Sequence, residues 1–227
     1  MDQARLQALT ARGYGKAAKR IGAETVQYRP TSLTDPLASP HASFLAAFNN
    51  DAGFSFKAPA MWGKPAVYGL FDTTDVQAGD ILVTGGENYF VARFEAFQPP
   101  LCILCDRTIS LFGNASSGDG TAGDESSSAC PLAGYQDDYG TSGGGGSSAV
   151  ASGWPCSILL KGSGEASGSS IPGAIKAAVY QLLLPVMPGF NPQVYMTAAD
   201  DLGRSYVIEG VEVSQYGTKC LMRVQQV

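Results

Sequence analysis

Charge is scarce in this chain, with 15% of residues being Asp, Glu, Lys or Arg. Histidine is scarcer, because His41 stands alone. Any histidine-dependent nucleophile would have to use it. Ser39-Pro40-His41 lies in a proline-rich stretch, and no G-x-S-x-G elbow occurs. Long apolar runs are missing too. The longest candidate, Ala177 to Phe190, is broken by Pro185 and Pro188 and is too short to cross a bilayer as a helix. Met1-Asp2-Gln3 leads into a charged amphipathic segment instead of the apolar centre of a secretory signal. Five cysteines, an odd number, fit a reducing compartment better than a disulfide framework. These features predict a chain made in a cytoplasm that does not use a membrane as partner.

The chain is rich in glycine, with 28 among 227 residues, a length sufficient for one large or two small domains. Low charge with much Gly, Ser, Thr and Tyr predicts a β-rich surface that touches neighbours. The charge is also uneven. Residues 1–30 carry six cations, Arg5, Arg12, Lys16, Lys19, Arg20 and Arg29, against Asp2 and Glu24. With −5 for the whole chain, the remainder is strongly acidic. An acidic body argues against specific nucleic-acid binding, which draws on counterion release by Lys and Arg. The basic N-terminal arm reads as a solvated helix face that could meet an acidic partner.

A hairpin pattern occurs twice. The first copy is Gly79-Asp80-Ile81-Leu82-Val83-Thr84, a Gly85-Gly86 turn, then Tyr89-Phe90-Val91-Ala92-Arg93-Phe94. The second is Val194-Tyr195-Met196-Thr197, a turn over Ala199-Asp200-Asp201-Leu202-Gly203-Arg204, then Ser205-Tyr206-Val207-Ile208. Matching Thr84 with Thr197 and Tyr89 with Tyr206 suggests two related modules. Leu82 and Val207 are expected to point inward.

Five segments follow. Residues 1–25 form a helical arm, with Leu6, Leu9, Ala17, Ala18 and Ile21 at helical spacing; Gly13 and Gly15 predict a kink or two short helices, and Gly22 a stop. Residues 26–65 read as an irregular arm, punctuated by Pro30, Pro36, Pro40, Pro59 and Pro65 yet bearing Phe44, Phe48, Phe54, Phe56 and Trp62. Residues 66–112 form the first β module, with strands at Ala66 to Phe71, Ile81 to Thr84, Tyr89 to Phe97 and Leu101 to Phe112. Residues 113–153 are a Gly/Ser-rich loop or linker. Residues 154–227 form the second module, with strands at Cys156 to Leu160, Ala177 to Leu184, Val194 to Thr197, Ser205 to Val213 and Lys219 to Val224. The fold class is thus mainly β: two related small barrels or sandwiches with a short N-terminal helix and an extended arm.

Motifs that could carry chemistry are weak. Cys102-Ile103-Leu104-Cys105 is a C-x-x-C, but residues three apart on a strand face opposite ways, so the thiols should diverge. Gly118-Asp119-Gly120-Thr121-Ala122-Gly123 matches G-x-G-x-x-G by letter without the strand and helix that hold a diphosphate. Asp119, Asp124 and Glu125, or Asp137-Asp138, lack the regular ligand spacing of a calcium loop. Asp200-Asp201 suit a turn for backbone reasons. A carboxylate pair for glycoside hydrolysis is not singled out. No catalytic, cofactor-binding or metal-ligating residue is assigned, and no cofactor is implied. The aromatics, Trp62 and Trp154 foremost, leave a carbohydrate-binding or host-attachment module as the alternative function.

The first hairpin, Gly79-Asp80-Ile81-Leu82 to Tyr89-Phe90-Val91, resembles one found in small β-barrel virion proteins of tailed bacteriophages. The second copy resembles it with a longer turn and without the Gly-Asp opening. The helical start with Gly13-Tyr14-Gly15-Lys16-Ala17-Ala18 and the Tyr28-Arg29-Pro30 junction are similar to phage and prophage structural proteins. The resemblance covers about half of the chain. It implies a non-enzymatic structural component of the neck (head–tail connector) or tail, located in the virion and made in the host cytoplasm. Its partners would be itself, as a ring homo-oligomer, and neighbouring virion proteins.

Overall fold

The computed structural model describes residues 2–54, 63–113, 149–163 and 178–225. Among the described residues one helix, α1 (Gln3–Ile21), is followed by twelve strands. They are β1 (Ala23–Tyr28), β2 (Pro40–Asn49), β3 (Ala66–Leu70), β4 (Ile81–Thr84), β5 (Glu87–Arg93) and β6 (Leu101–Cys105), then β7 (Arg107–Phe112), β8 (Ala149–Ser163), β9 (Ala178–Leu184), β10 (Thr197–Asp200), β11 (Ser205–Ser214) and β12 (Gly217–Val224).

Helix α1 is continuous. Asp2 caps its first turn by accepting from the Ala4 amide, while Lys19 and Arg20 sit in the last turn where they favour the helix dipole. The expected break at Gly13 and Gly15 does not occur, since each glycine costs only about 1 kcal/mol against alanine. Packing offsets it at Gly15: a Cβ there would lie 3.1 Å from the Asp72 Cβ, so the helix comes close to the barrel at that point.

The strands close into two antiparallel barrels. The first has cyclic order β1-β2-β3-β6-β5-β4, and the second β7-β8-β9-β12-β11-β10. Laid over each other in chain order, the two lists are the same. The expected pair of related β modules is therefore present, with boundaries that differ from the sequence reading. Segment 26–65, read as an irregular arm, contributes the end of β1 and all of β2 to the first barrel. Pro40 is tolerated because it opens its strand. The single strand expected from Leu101 to Phe112 is two, because Asp106 interrupts it and sends β6 and β7 into different barrels. The second barrel thus begins at Arg107, and β8 starts at Ala149, inside the stretch read as linker. A register shift around Ser152 and Gly153, the latter at φ 71°, lets β8 pass through as a bulge. The strand expected at Val194 to Thr197 instead runs from Thr197 to Asp200. β9 stops at Leu184, directly before Pro185, with Leu182 and Leu184 fully buried and Gln181 and Leu183 half-buried.

Register fixes the correspondence between the copies. Ile81 sits between Tyr28 and Phe90, and Thr197 between Phe112 and Val207. Tyr89 and Tyr206 therefore correspond, as the sequence pattern suggested. Thr84 corresponds to Asp200, not to Thr197. The turn before β4 repeats before β10 bond for bond. Asp80 N donates to Gln77 O, Gly79 N to Val91 O, and Val91 N to Asp80 O; Met196 N donates to Gln193 O, Tyr195 N to Ile208 O, and Ile208 N to Met196 O. Gly79 takes φ 93° in this turn and Tyr195 takes φ 69°, so the geometry demands a left-handed residue even where glycine is absent.

The wall β4-β5-β6 is buried on both faces, which explains its nearly unbroken apolar sequence. Leu82, Tyr89, Val91 and Cys102 face the first barrel's interior with Val67 and Phe71. Ile81, Phe90, Ala92 and Cys105 face the other way and join the core of the second barrel with Trp154, Leu182 and Ile208. The two barrels share that core. Leu82 is inward as expected. Val207 is only half-buried, and its neighbours Tyr206 and Ile208 are the inward residues of β11.

Candidate functional site

Barrel one carries a polar centre with no counterpart among the described residues of barrel two. It begins on β1, where Thr25 and Gln27 point inward at 0% and 1% exposure, a poor hydrophobic pattern for a core strand. The matching positions of β7 are Ile109 and Leu111. At the centre is Asp80, 2% exposed, in the turn before β4. Its Oδ2 accepts from Gln27 Nε2 at 2.6 Å, from Gln77 N at 2.8 Å and from Arg29 Nη2 at 3.0 Å. Its Oδ1 accepts from Arg29 Nε at 3.0 Å. Arg29 thus grips the carboxylate with two nitrogens, the geometry that makes such pairs strong. Gln27 Nε2 and Arg29 Nη2 also reach the Asp75 carbonyl, at 3.0 and 2.8 Å. The centre therefore ties β1 to the loop between β3 and β4.

At the solvent edge, His41 Nε2 lies 2.8 Å from Asp75 Oδ2, and Arg29 Nη1 lies 3.6 Å from Asp75 Oδ1. The His41 hydrogen bond, and then the His41 and Arg29 charges, hold the Asp75 carboxyl below its ordinary range. The Asp80 bond first, then the charges of Asp80 and Asp75, hold the Arg29 guanidinium above its own. Chemically, Asp80 has its lone pairs engaged and is shielded from water, so it serves as a brace for Arg29. His41 and Asp75 form an exposed acid–base pair. Among the described residues no group of three or more His, Cys, Asp or Glu side chains could hold a metal ion.

The second barrel has a smaller polar knot at the end of β10. Asp200 Oδ1 accepts from the amides of Leu202 and Arg204 at 3.0 and 2.8 Å, and Oδ2 accepts from Tyr206 Oη at 2.9 Å. Asp200 thus holds the turn, as expected of an acid placed there. Burial foremost, with the Asp200 bond behind it, pushes the Tyr206 phenol up to about 12. A raised phenol favours the folded state fully below its ordinary value of 10.0, and that contribution fades as pH climbs towards 12. Tyr206→Phe should lower stability by about 1 kcal/mol at neutral pH, since Asp200 keeps its two amide donors. It should also flatten the loss of stability above pH 10. Thermal melts between neutral pH and strong alkali, on wild type and variant, check both. An unchanged alkaline slope would place the titration elsewhere.

The remaining sequence candidates separate. Cys102 faces the first core and Cys105 the shared one, so the thiols diverge. Burial pushes both thiols, and that of Cys156, well above the ordinary range, and that of Cys220 to about 12. Inert packing follows. Trp154 is fully buried and its indole Nε1 donates to Leu33 O at 2.8 Å, which removes it from any sugar-stacking face. Trp62, the glycine run from Gly118 to Gly123, and Asp119, Asp124, Glu125, Asp137 and Asp138 lie outside the described residues.

A cleft of about 260 Å³ opens between the barrels, floored by Phe90, Leu101, Ile103 and Leu183. At its mouth Arg93 stacks over the Tyr216 ring, 4.9 Å from the centroid, and hydrogen-bonds its hydroxyl. This pair ties β5 to the turn between β11 and β12.

Compared with protein-family models, curated proteins and solved structures, the chain matches none.

The polar centre escaped the sequence reading because Gln27, Arg29, His41, Asp75 and Asp80 are spread over more than fifty positions with no local motif. One signal was available: the Gly79-Asp80 opening present in the first hairpin and absent from the second.

Proposed function

We propose that this protein is a non-enzymatic structural component of a tailed-phage particle, assembling at the neck or tail through its barrels and their attached segments. The observation that carries the reading is the duplicated barrel. Two copies of one strand topology are fused through a shared wall whose outer face joins the second barrel's core, and the polar side chains inside them brace turns and strands. Such a unit is a rigid block with its surface left for contacts, which suits a subunit repeated around a closed ring. The hairpin that resembles phage barrel proteins falls on β4 and β5, the wall shared by both barrels. Partners under this reading are further copies of the chain and neighbouring virion proteins.

Immunogold labelling of particles from an induced host lysate, with antibody to this chain, tests the reading. Label clustered at the head–tail junction or along the tail is expected. Unlabelled particles would overturn it.

A further inference from the structure

Tyr195 is the most exposed large apolar side chain among the described residues, at 72%. Its neighbour Val194 is exposed as well, and among the described residues the Tyr195 hydroxyl has no hydrogen-bond partner. Yet the backbone there holds φ 69°, a conformation that strains a residue with a Cβ. The same turn in barrel one has Gly79, which takes φ 93° without that strain. Strained and bare, the Tyr195 ring does little for its own fold, which directs attention to a contact outside the chain.

In barrel one that turn is a barrel-to-barrel contact. A Cβ on Gly79 would lie 3.3 Å from the Val186 carbonyl oxygen and 3.6 Å from the Val186 Cβ, so the turn is seated just after β9 of barrel two. Register gives the matching seat on barrel one. Phe90 and Val207 correspond and lie beside Ile103 and Arg223, which in turn lie beside Ala66 and Val179. Seven positions on from each, Val186 answers to Thr73, next to Asp72. There α1 fills part of the seat, since a Cβ on Gly15 would fall 3.1 Å from the Asp72 Cβ. The rest is open: a groove of about 620 Å³ runs between α1 and the barrel, with Asp72 in its lining. One chain thus carries a turn without a seat and a seat without a turn.

We propose that Tyr195 of one copy of the chain seats in the α1 groove of a second copy. The floor of the groove is Phe44 and Leu45, and Arg12, Lys16 and Lys19 stand along one wall. An aromatic ring laid on that floor meets cations that attract its face. Among the described residues none of these three cations forms an ion pair, whereas Arg29, Arg93, Arg107, Lys219 and Arg223 all do. Glu24 and Asp72 in the same lining offer the acceptor that the Tyr195 hydroxyl lacks. Turn and groove are different surfaces, so each copy presents one of each. The contact then runs head to tail, and it closes into a ring where the rotation between copies allows. The inference rests on the assembly reading only in that copies of the chain meet. Association in solution decides it whether or not particles carry the label, so the two can fail separately.

Sedimentation velocity of the full chain over a range of concentrations, with benzophenone cross-linking from position 195, tests it. Mixing ¹⁴N- and ¹⁵N-labelled protein separates links between copies from links within one. Association that grows with concentration is expected, with links from position 195 to α1 or β2 of another copy. Tyr195→Gly should weaken association about tenfold or more. In dilute protein, where both are monomers, it should not lower the melting temperature, because glycine suits the backbone there. Leu45→Glu, at an exposed floor position, should weaken association as much while leaving the circular dichroism spectrum unchanged. Equimolar mixing of these two variants should restore pairs and nothing larger, since one intact turn then meets one intact groove. Monomers at every concentration, with no links between copies, would overturn the proposal. So would a Tyr195→Gly monomer that melts earlier, or a mixture that associates no better than either variant alone. Links within one chain, or only to other proteins of a host lysate, would overturn it by assigning the turn to a different occupant.

Discussion

Phe90→Ala should destabilise both barrels together, by about 3–5 kcal/mol. Phe90 is 1% exposed, and its ring leaves the first barrel to enter the core of the second. On β5 its immediate neighbours Tyr89 and Val91 turn the other way, into the first core. Removing the ring therefore opens a cavity at the seam and strips packing from the sheet that both cores use. Its counterpart in the second copy, Val207, is half-buried, and Val207→Ala should cost much less. Urea unfolding followed by tryptophan fluorescence, in a Trp62→Phe background so that Trp154 reports alone, gives the second barrel. Hydrogen exchange of the β1 and β2 amides gives the first. Coincident transitions shifted by the same amount are expected. A first barrel that opens early while the Trp154 signal stays put would mean that the barrels are separate cooperative units.

This seam was half-visible in the sequence. Ile81-Leu82-Val83 and Tyr89-Phe90-Val91-Ala92 are apolar at consecutive positions, the mark of a strand covered on both sides. Tyr89 and Tyr206 stood out because a large aromatic beginning a strand after a polar turn is a strong local signal. Thr84 and Thr197 misled, since one threonine resembles another while the register is set by which strand lies alongside. The strands of residues 23–49 were hidden for a physical reason. β1 turns Thr25 and Gln27 inward, so its apolar alternation fails, and β2 opens on a proline. Likewise Asp106 looks unremarkable within an apolar run, yet it ends one barrel and begins the next. The polar centre was out of reach of local pattern, because its members meet only once β1, β2 and the loop before β4 are folded together.

Asp80 yields the second large effect, and here the duplication supplies its own control. Asp80→Asn keeps the size of the side chain but exchanges one acceptor oxygen for an amide that can only donate. It would face Gln27 Nε2, the Gln77 amide and Arg29, all donors, so at least one strong bond is lost and two donors are set against each other. Breaking a buried charge pair on one side costs about 3–5 kcal/mol, and the lower end applies because Arg29 is 26% exposed and retains Asp75. The second barrel shows what an apolar solution looks like. At the position of Asp80 stands Met196, whose sulfur lies 3.2 Å from the Gln193 amide just as Asp80 receives the Gln77 amide, and at the position of Gln27 stands Leu111. Transplanting that solution, Asp80→Met with Gln27→Leu, should cost clearly less than the sum of the two single changes. Each single change strands a buried polar partner, and the double change removes both at once. Urea midpoints for the four proteins measure the coupling. Additive losses would show that the two barrels differ in packing more deeply than their shared strand order implies.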